Sequence, residues 1–249
     1  MKIFCIGDIV GNSGMDAVKH KLKSIKTQNK IDFVIANGEN TAGIGISAKH
    51  AEELFISGVD VITLGNHAFK QLDIISVFDQ TKNILRPYNA SPELPGDGYV
   101  IIGNICVINL IGQLNMNFKS SNPFWVIDKL ITEVSKTAEI IIIDFHSEAT
   151  SEKYALFNYL IRRVSAIFGT HTHVQTADEQ IKDGTGYITD IGMTGDTDSV
   201  IGILPEQSIA FFKGNIGKKY TPATGNGKIS GAIFEFSCSK CIKVERFFE

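Results

Sequence analysis

The chain has 249 residues, 43% apolar and 20% charged, which allows a substantial core in one large domain or two small ones. A formal net charge of −3, with the charges scattered, leaves no electrostatic footprint for extended nucleic acid or an anionic membrane surface. No apolar run approaches the roughly 20 residues of a membrane span, and the N-terminal stretch lacks a signal-peptide pattern, so a cytoplasmic protein is expected.

The first two-thirds alternate short β-branched runs with amphipathic segments, the pattern of βαβ units with right-handed crossovers. A strand is predicted over residues 2–7. Asn12-Ser13-Gly14 then opens a helix carrying Met15, Val18, Leu22 and Ile25 at helical spacing. A second strand covers 33–36. Residues 43–46 form a flexible loop, and Ser47 caps a helix running through Phe55. A third strand covers 59–64, and a helix 72–78. Three prolines (Pro87, Pro92, Pro95) make 86–98 a loop. Residues 99–110 read as a hairpin turning at Gly103-Asn104, and 113–122 as irregular. Pro123 opens a helix to Ser135 with Phe124, Ile127, Leu130, Ile131 and Val134 on its apolar face. Residues 140–143 form an apolar strand buried on both faces, followed by a helix over 151–162 and a strand over 166–168.

After Gln180 the pattern changes. Residues 187–190, 208–213, 231–236 and 242–248 read as strands without intervening helices, the last two forming a hairpin around Ser239-Lys240. A second sheet packed on the first, flanked by helices, is expected within a single domain spanning residues 1–249. Cys5 and Cys106 lie inside apolar strands and read as core residues. Cys238 and Cys241 have redox or half-zinc spacing, but with no second such pair they read as two thiols on a hairpin.

Five strand-like runs end in residues of one ligand type: Gly7-Asp8, Gly38-Glu39-Asn40, Gly65-Asn66-His67, Phe145-His146 and Gly169-Thr170-His171-Thr172-His173. Singly, each has a plain explanation. Asp8 could cap a helix, Asn66 could sit in a turn, His146 could be a satisfied core histidine and Glu39 a solvated acid. Jointly, chance is a poor account, because ligand crevices of α/β sheets lie beyond the carboxyl ends of the strands. Of six histidines, only His20 and His50 fall on helices, and both read as solvated. The mixed set of carboxylate, amide oxygen and imidazole, without cysteine, suits Mn, Fe or Zn better than Mg or Ca. It is too large for one ion and about right for two. Two ions about 3.5–4 Å apart need a shared ligand, and Glu39 is the best carboxylate for it. Such a pair lowers the pKa of a bridging water toward ~7 and holds phosphate oxygens for in-line displacement. His67, beside the amide of Asn66, then suits the proton donor to the leaving oxygen.

The order of these motifs resembles the calcineurin-like metallophosphoesterases. It resembles more closely their bacterial YmdB-like branch, through Gly7-Asp8-Ile9-Val10-Gly11, Asn37-Gly38-Glu39-Asn40, Thr63-Leu64-Gly65-Asn66-His67, the run from Asp144 to Lys153, the run from Gly169 to Asp178, and Thr189-Asp190-Ile191-Gly192-Met193-Thr194-Gly195. The resemblance implies a four-layer αββα sandwich of two mixed sheets flanked by helices, holding a dinuclear centre. By position, Asp8, Asn40 and His173 would hold one metal, and Asn66, His146 and His171 the other. Glu39 would bridge, and His67 would donate the proton. The superfamily's histidine two residues after the first aspartate is Val10 here, a vacancy Asn40 fills. The acidic residue that often follows the catalytic histidine is Ala68, and Lys70 stands where the closer branch carries an aspartate.

Glu148 and Asp190 are candidates to orient imidazoles, or are simply helix-entry and strand-end residues. Arg86 and Asn89 could reach a phosphate or base, or serve their own loop. The 43–46 loop could wall the pocket or merely lead to the Ser47 cap. Trp125 reads as a core or subunit contact rather than a base-stacking platform. The resulting expectation is a dinuclear phosphodiesterase with two transition-metal ions, Fe or Mn first and Zn also suited. It acts on 2′,3′-cyclic or 3′,5′-cyclic nucleotides, and subunits could associate into a homo-oligomer. The alternatives are a phosphomonoesterase or 5′-nucleotidase on the same metal pair, and a low-turnover regulatory protein that binds a nucleotide.

Overall fold

The computed structural model describes residues 1–215 and 221–249. Strand β1 (Lys2–Ile6) buries its last four residues and leads into the two-residue β2 (Asp8–Ile9). Helix α1 (Gly11–Asn29) buries Met15, Val18, Leu22 and Ile25, the spacing that predicts it, and ends where Lys30 turns left-handed. Next come β3 (Phe33–Asn37), α2 (Ala48–Ser57), β4 (Val61–Thr63), α3 (Ile74–Phe78) and β5 (Ile84–Leu85). Ser47 caps α2 by accepting from the His50 N–H. The expected hairpin is β6 (Tyr99–Ile102) and β7 (Ile105–Ile111). Asn122 caps α4 (Pro123–Val134), whose first-turn proline is pre-set for a helix start. It is followed by β8 (Ile140–His146), α5 (Thr150–Leu160), β9 (Ala166–Thr170), β10 (Gln180–Lys182) and β11 (Thr185–Ile188). The chain closes with β12 (Met193–Asp196), α6 (Pro205–Phe212), β13 (Gly227–Lys228), β14 (Ser230–Ser237) and β15 (Lys240–Phe248).

Among the described residues this is a mixed α/β fold of six helices and three sheets. One six-stranded sheet runs β15-β14-β1-β3-β4-β5, parallel from β1 to β5 and antiparallel at β14 and β15. A second runs β10-β11-β9-β8-β7-β6, with β7, β8, β9 and β11 parallel. A small sheet, β13-β12-β2, ties the start of the chain to its end. Three apolar clusters fill the interior. One joins α1, α2 and α3 to the first sheet, through residues such as Leu22, Leu54 and Ile62. A second lies between the sheets, with Ile3 and Ile35 meeting Val107 and Ile142. A third joins the second sheet to α4 and α5, with Leu130 and Leu156 against Ile143.

Two expectations about the last third are corrected. Residues 208–212 belong to helix α6, with Lys213 its C-cap, rather than to a strand. Pro205 pre-sets the first helical φ and Glu206 favours the helix N-terminus, while a short apolar run cannot itself distinguish helix from strand. The C-terminal hairpin does not build the second sheet either. β14 pairs antiparallel with β1, so β14 and β15 extend the first sheet, and the second sheet is made by residues 99–188. The hairpin turns at Cys238-Ser239, one residue earlier than expected. Its cysteines are free, Cys238 exposed and Cys241 buried. His50 is half-buried rather than solvated, and its Nδ1 has no partner. No helix among the described residues is long and apolar enough to cross a membrane.

Candidate metal centre

All eight residues singled out from the motifs meet at one end of the two large sheets. Asp8 follows β1, Glu39 and Asn40 follow β3, Asn66 and His67 follow β4, His146 ends β8, and His171 and His173 follow β9. Asp8, Glu39 and His146 are fully buried. Gly65 allows the close approach: a Cβ there would lie 2.2 Å from His146 Cδ2 and 2.5 Å from Glu39 Oε2.

The hydrogen bonds fix which ring nitrogens carry lone pairs. Thr170 Oγ1 donates to Asp144 Oδ1 at 2.7 Å, so it accepts from His146 Nδ1 at 2.9 Å. That leaves Nε2 of a neutral His146 as a lone pair. It faces Glu39 Oε1 at 3.0 Å, Asn66 Oδ1 at 3.0 Å and His171 Nδ1 at 3.1 Å. His171 in turn directs Nε2 to Glu148 Oε2 at 3.1 Å, which leaves its Nδ1 free to ligate. Four lone-pair atoms therefore converge, and one proton cannot satisfy them all. A cation can, since adjacent ligands about 2.1 Å from one ion sit roughly 3 Å apart. Glu39, His146 and His171 form a group with metal-ligand spacing.

The second set is adjacent. His173 donates Nδ1–H to the Ile201 carbonyl at 2.9 Å and turns Nε2 inward, 3.8 Å from Asp8 Oδ1 and 3.3 Å from Asn40 Nδ2. Asp8 Oδ2 accepts from the His171 N–H, but the buried Oδ1 has no partner, an orphan that a cation would satisfy. Asn40 presents Oδ1 to His67 Nδ1 at 2.9 Å, and Nδ2 to both His173 and Glu39 Oε1. Turning this amide over would place its oxygen beside His173 instead. Glu39 touches both sets through Oε1 and accepts from the His67 N–H with Oε2. The donor chemistry therefore fits metal binding, with Glu39 in contact with both sets.

The charges oppose one another. Burial works against charging His146, but Glu39 overrides it and pushes the imidazole up to about 9. Burial would raise Glu39, but His146 and His67 hold it down at about 2. Burial, reinforced by His146, lowers His171 to about 3. Burial also lowers His67, against the pull of Glu39, and raises Asp8.

Several supports escaped the sequence reading. Asp144, held at about 6 chiefly by burial, accepts from Thr63, Thr170 and Asn37 and so anchors the hydroxyl behind His146. A charged residue inside an otherwise apolar strand was the available signal. Buried Lys153 bonds the Thr170 carbonyl at 2.8 Å and Asp190 at 2.7 Å. Of the two orienting candidates, Glu148 does meet an imidazole. Asp190 instead holds Lys153, Thr172 and the Gly192 N–H. Asn89 is spent on the backbone of Ile111 and Ser121, and Arg86 lines a different cavity. In the 43–46 loop, the Ile44 carbonyl accepts from Gln71, three residues beyond Ala68. Trp125 is 80% exposed and so is no core residue.

The description YmdB-like protein matches residues 4–247 of this chain. A Bacillus subtilis protein named 2′,3′-cyclic-nucleotide 2′-phosphodiesterase is 42% identical, over 99% of this chain and 96% of its own length. A solved Mycoplasma pneumoniae structure described as a novel phosphatase is 36% identical with a TM-score of 0.92, covering 100% of this chain and 93% of that one. A Thermus thermophilus structure described as a hypothetical protein superposes with a TM-score of 0.93 at 33% identity, covering 100% of this chain and 99% of that one.

Proposed function

We propose that this chain, which belongs to the YmdB-like protein family, is a dinuclear metal-dependent phosphodiesterase acting on small cyclic nucleotides. The observation that carries the reading is the convergence of Glu39 Oε1, Asn66 Oδ1 and His171 Nδ1 on His146 Nε2, more acceptors than its one proton can serve, beside the orphaned Asp8 Oδ1. Asp8, Asn40 and His173 would hold one ion and Asn66, His146 and His171 the other, with Glu39 placed to be shared by both sets. Fe, Mn and Zn all suit this set. When bound, the pair supplies Lewis-acid neutralisation of phosphate charge and a water acidified toward neutrality. The three apolar clusters support a four-layer αββα stacking, in one domain over residues 1–249.

The protein's own groups then do three things. Glu148, Thr170 and the Ile201 carbonyl each hold one ring N–H, so that the opposite nitrogen of His171, His146 or His173 points inward. Asn40 orients His67 in place of the missing acidic neighbour, since Ala68 is packed in the core. Asn40 Oδ1 accepts from the Nδ1–H of His67 at 2.9 Å, so a protonated His67 keeps its Nε2–H free to pass to a departing ribose oxygen, ending as the neutral ring.

The name of the Bacillus subtilis relative favours 2′,3′-cyclic substrates, and 3′,5′-cyclic diesters present the same phosphate chemistry. The phosphatase description of the Mycoplasma pneumoniae structure favours a second reading, a phosphomonoesterase on the same ions. A panel of 2′,3′-cyclic and 3′,5′-cyclic nucleotides, a chromogenic diester and 5′-monoesters, with protein reconstituted in Mn, Fe or Zn, separates the two. Diester turnover abolished by chelation supports the proposal. Turnover confined to monoesters supports the second reading, and none with any metal leaves a binding role.

A further inference from the structure

A cavity of about 360 Å³ lies between the loop after β5, the β6 edge and helix α4, and shares no residue with the metal centre. Arg86 lines it and is only 7% exposed. One of its nitrogens, Nη1, donates to the carbonyls of Pro87 at 2.8 Å and Tyr88 at 3.3 Å, while Nε has no partner. Among the described residues no carboxylate lies within ion-pair distance of it. A guanidinium stays charged, and buried charges are ordinarily paired. The acid lining the cavity, Asp97, acts on Arg86 only from beyond ion-pair distance and is itself paired with Lys82 at 2.7 Å. A second cation, Lys129, reaches the cavity from the exposed side of α4.

The walls carry flat rings. Tyr88 and Tyr99 stand edge to face with centroids 5.9 Å apart. Trp125 closes the rim with most of its indole in water, although the core face of α4 is supplied by Ile127, Leu130, Ile131 and Val134. An exposed indole beside unpaired cations has the makings of a stacking platform for a charged ring compound. The volume lies in the range of small-molecule sites.

We propose that this cavity is a second ligand site, taking a phosphate monoester that carries a flat heterocycle, the chemistry of a nucleoside monophosphate. The phosphate sits on Arg86 and Lys129, and the ring on Trp125. The site does not depend on the metal centre or on the phosphodiesterase reading.

Trp125 is the chain's one tryptophan, so its fluorescence reports on this cavity. The test titrates chelator-stripped full-length protein with uridine 3′-monophosphate, with uridine alone and inorganic phosphate alone as separate arms. A saturable change in Trp125 emission is expected, unaltered by reloading metal and weaker for either fragment. Arg86→Gln should raise the Kd roughly tenfold or more. Lys129→Gln, an exposed change that leaves the fold intact, should raise it as well. No saturable change, or wild-type affinity in Lys129→Gln, overturns the proposal. Uridine binding as tightly as the nucleotide overturns the phosphate assignment, and inorganic phosphate doing so overturns the ring assignment.

Discussion

His146 shows how one residue can serve two states. Without metal, its pKa near 9 keeps it an imidazolium in the grip of Glu39. A histidine raised from 6.5 in this way stabilises the fold fully below the unfolded value, and that contribution is lost as pH rises through about 9. The metal-free protein should therefore lose thermal stability between neutral and mildly alkaline pH, and metal-loaded protein should lose less. To ligate, His146 must shed its proton. Metal uptake near pH 7 should release about one proton per chain, measurable by calorimetry in buffers of different ionisation enthalpy. Uptake without proton release would mean that His146 is already neutral before the metal binds. His67 is a separate case. His67→Ala should retain both ions while turnover falls by about 10²–10⁴-fold, and wild-type turnover would remove it from the donor role. The donors themselves were legible in the sequence because each ends a strand-like run. Their tautomers were not, because the deciding partners, Thr170, Glu148 and the Ile201 carbonyl, lie at other places in the chain.

The loop after β9 is the element on which both proposed ion sites depend. His171 and His173 both take positive φ, 98° and 63°, conformations uncommon for side chains with a Cβ. The buried pair Lys153–Asp190 pins that loop from α5 and from the segment after β11, through the Thr170 carbonyl and the Thr172 N–H and hydroxyl. Lys153→Met would leave Asp190 buried and unpaired, at a cost of roughly 3–5 kcal/mol. It should lower the denaturant midpoint and reduce ion affinity together. Retention of wild-type affinity would show that the loop holds its shape without the pair. A milder change, Thr170→Val, removes only the hydroxyl behind His146 and should weaken ion binding about 10–100-fold in chelator competition. Elements with a strong period, such as α1 and α4, were readable from their apolar spacing. Helix α6 was not, because Ile209, Phe211 and Phe212 are too few to set a period and only Pro205 marked its start.

At the scale of the whole molecule, the parallel strands of two sheets aim their carboxyl ends at one point, and the βαβ alternation predicted that much. Strand partnership is a long-range choice that no local pattern encodes. The C-terminal hairpin therefore read as a separate sheet, although it seals the open edge of β1. That placement lets the β2–β12 pairing hold Asp8 against the segment carrying Gly192 and Met193. The central claim, that seven donors from both sheets hold two ions and that these ions drive diester hydrolysis, is tested most directly by metal titration. Chelator-stripped protein would be loaded stepwise while hydrolysis of a 2′,3′-cyclic nucleotide and bound metal are measured together. Activity should rise from near zero and level off at about two ions per chain. Full activity at one ion per chain, or undiminished activity in the stripped protein, would contradict it.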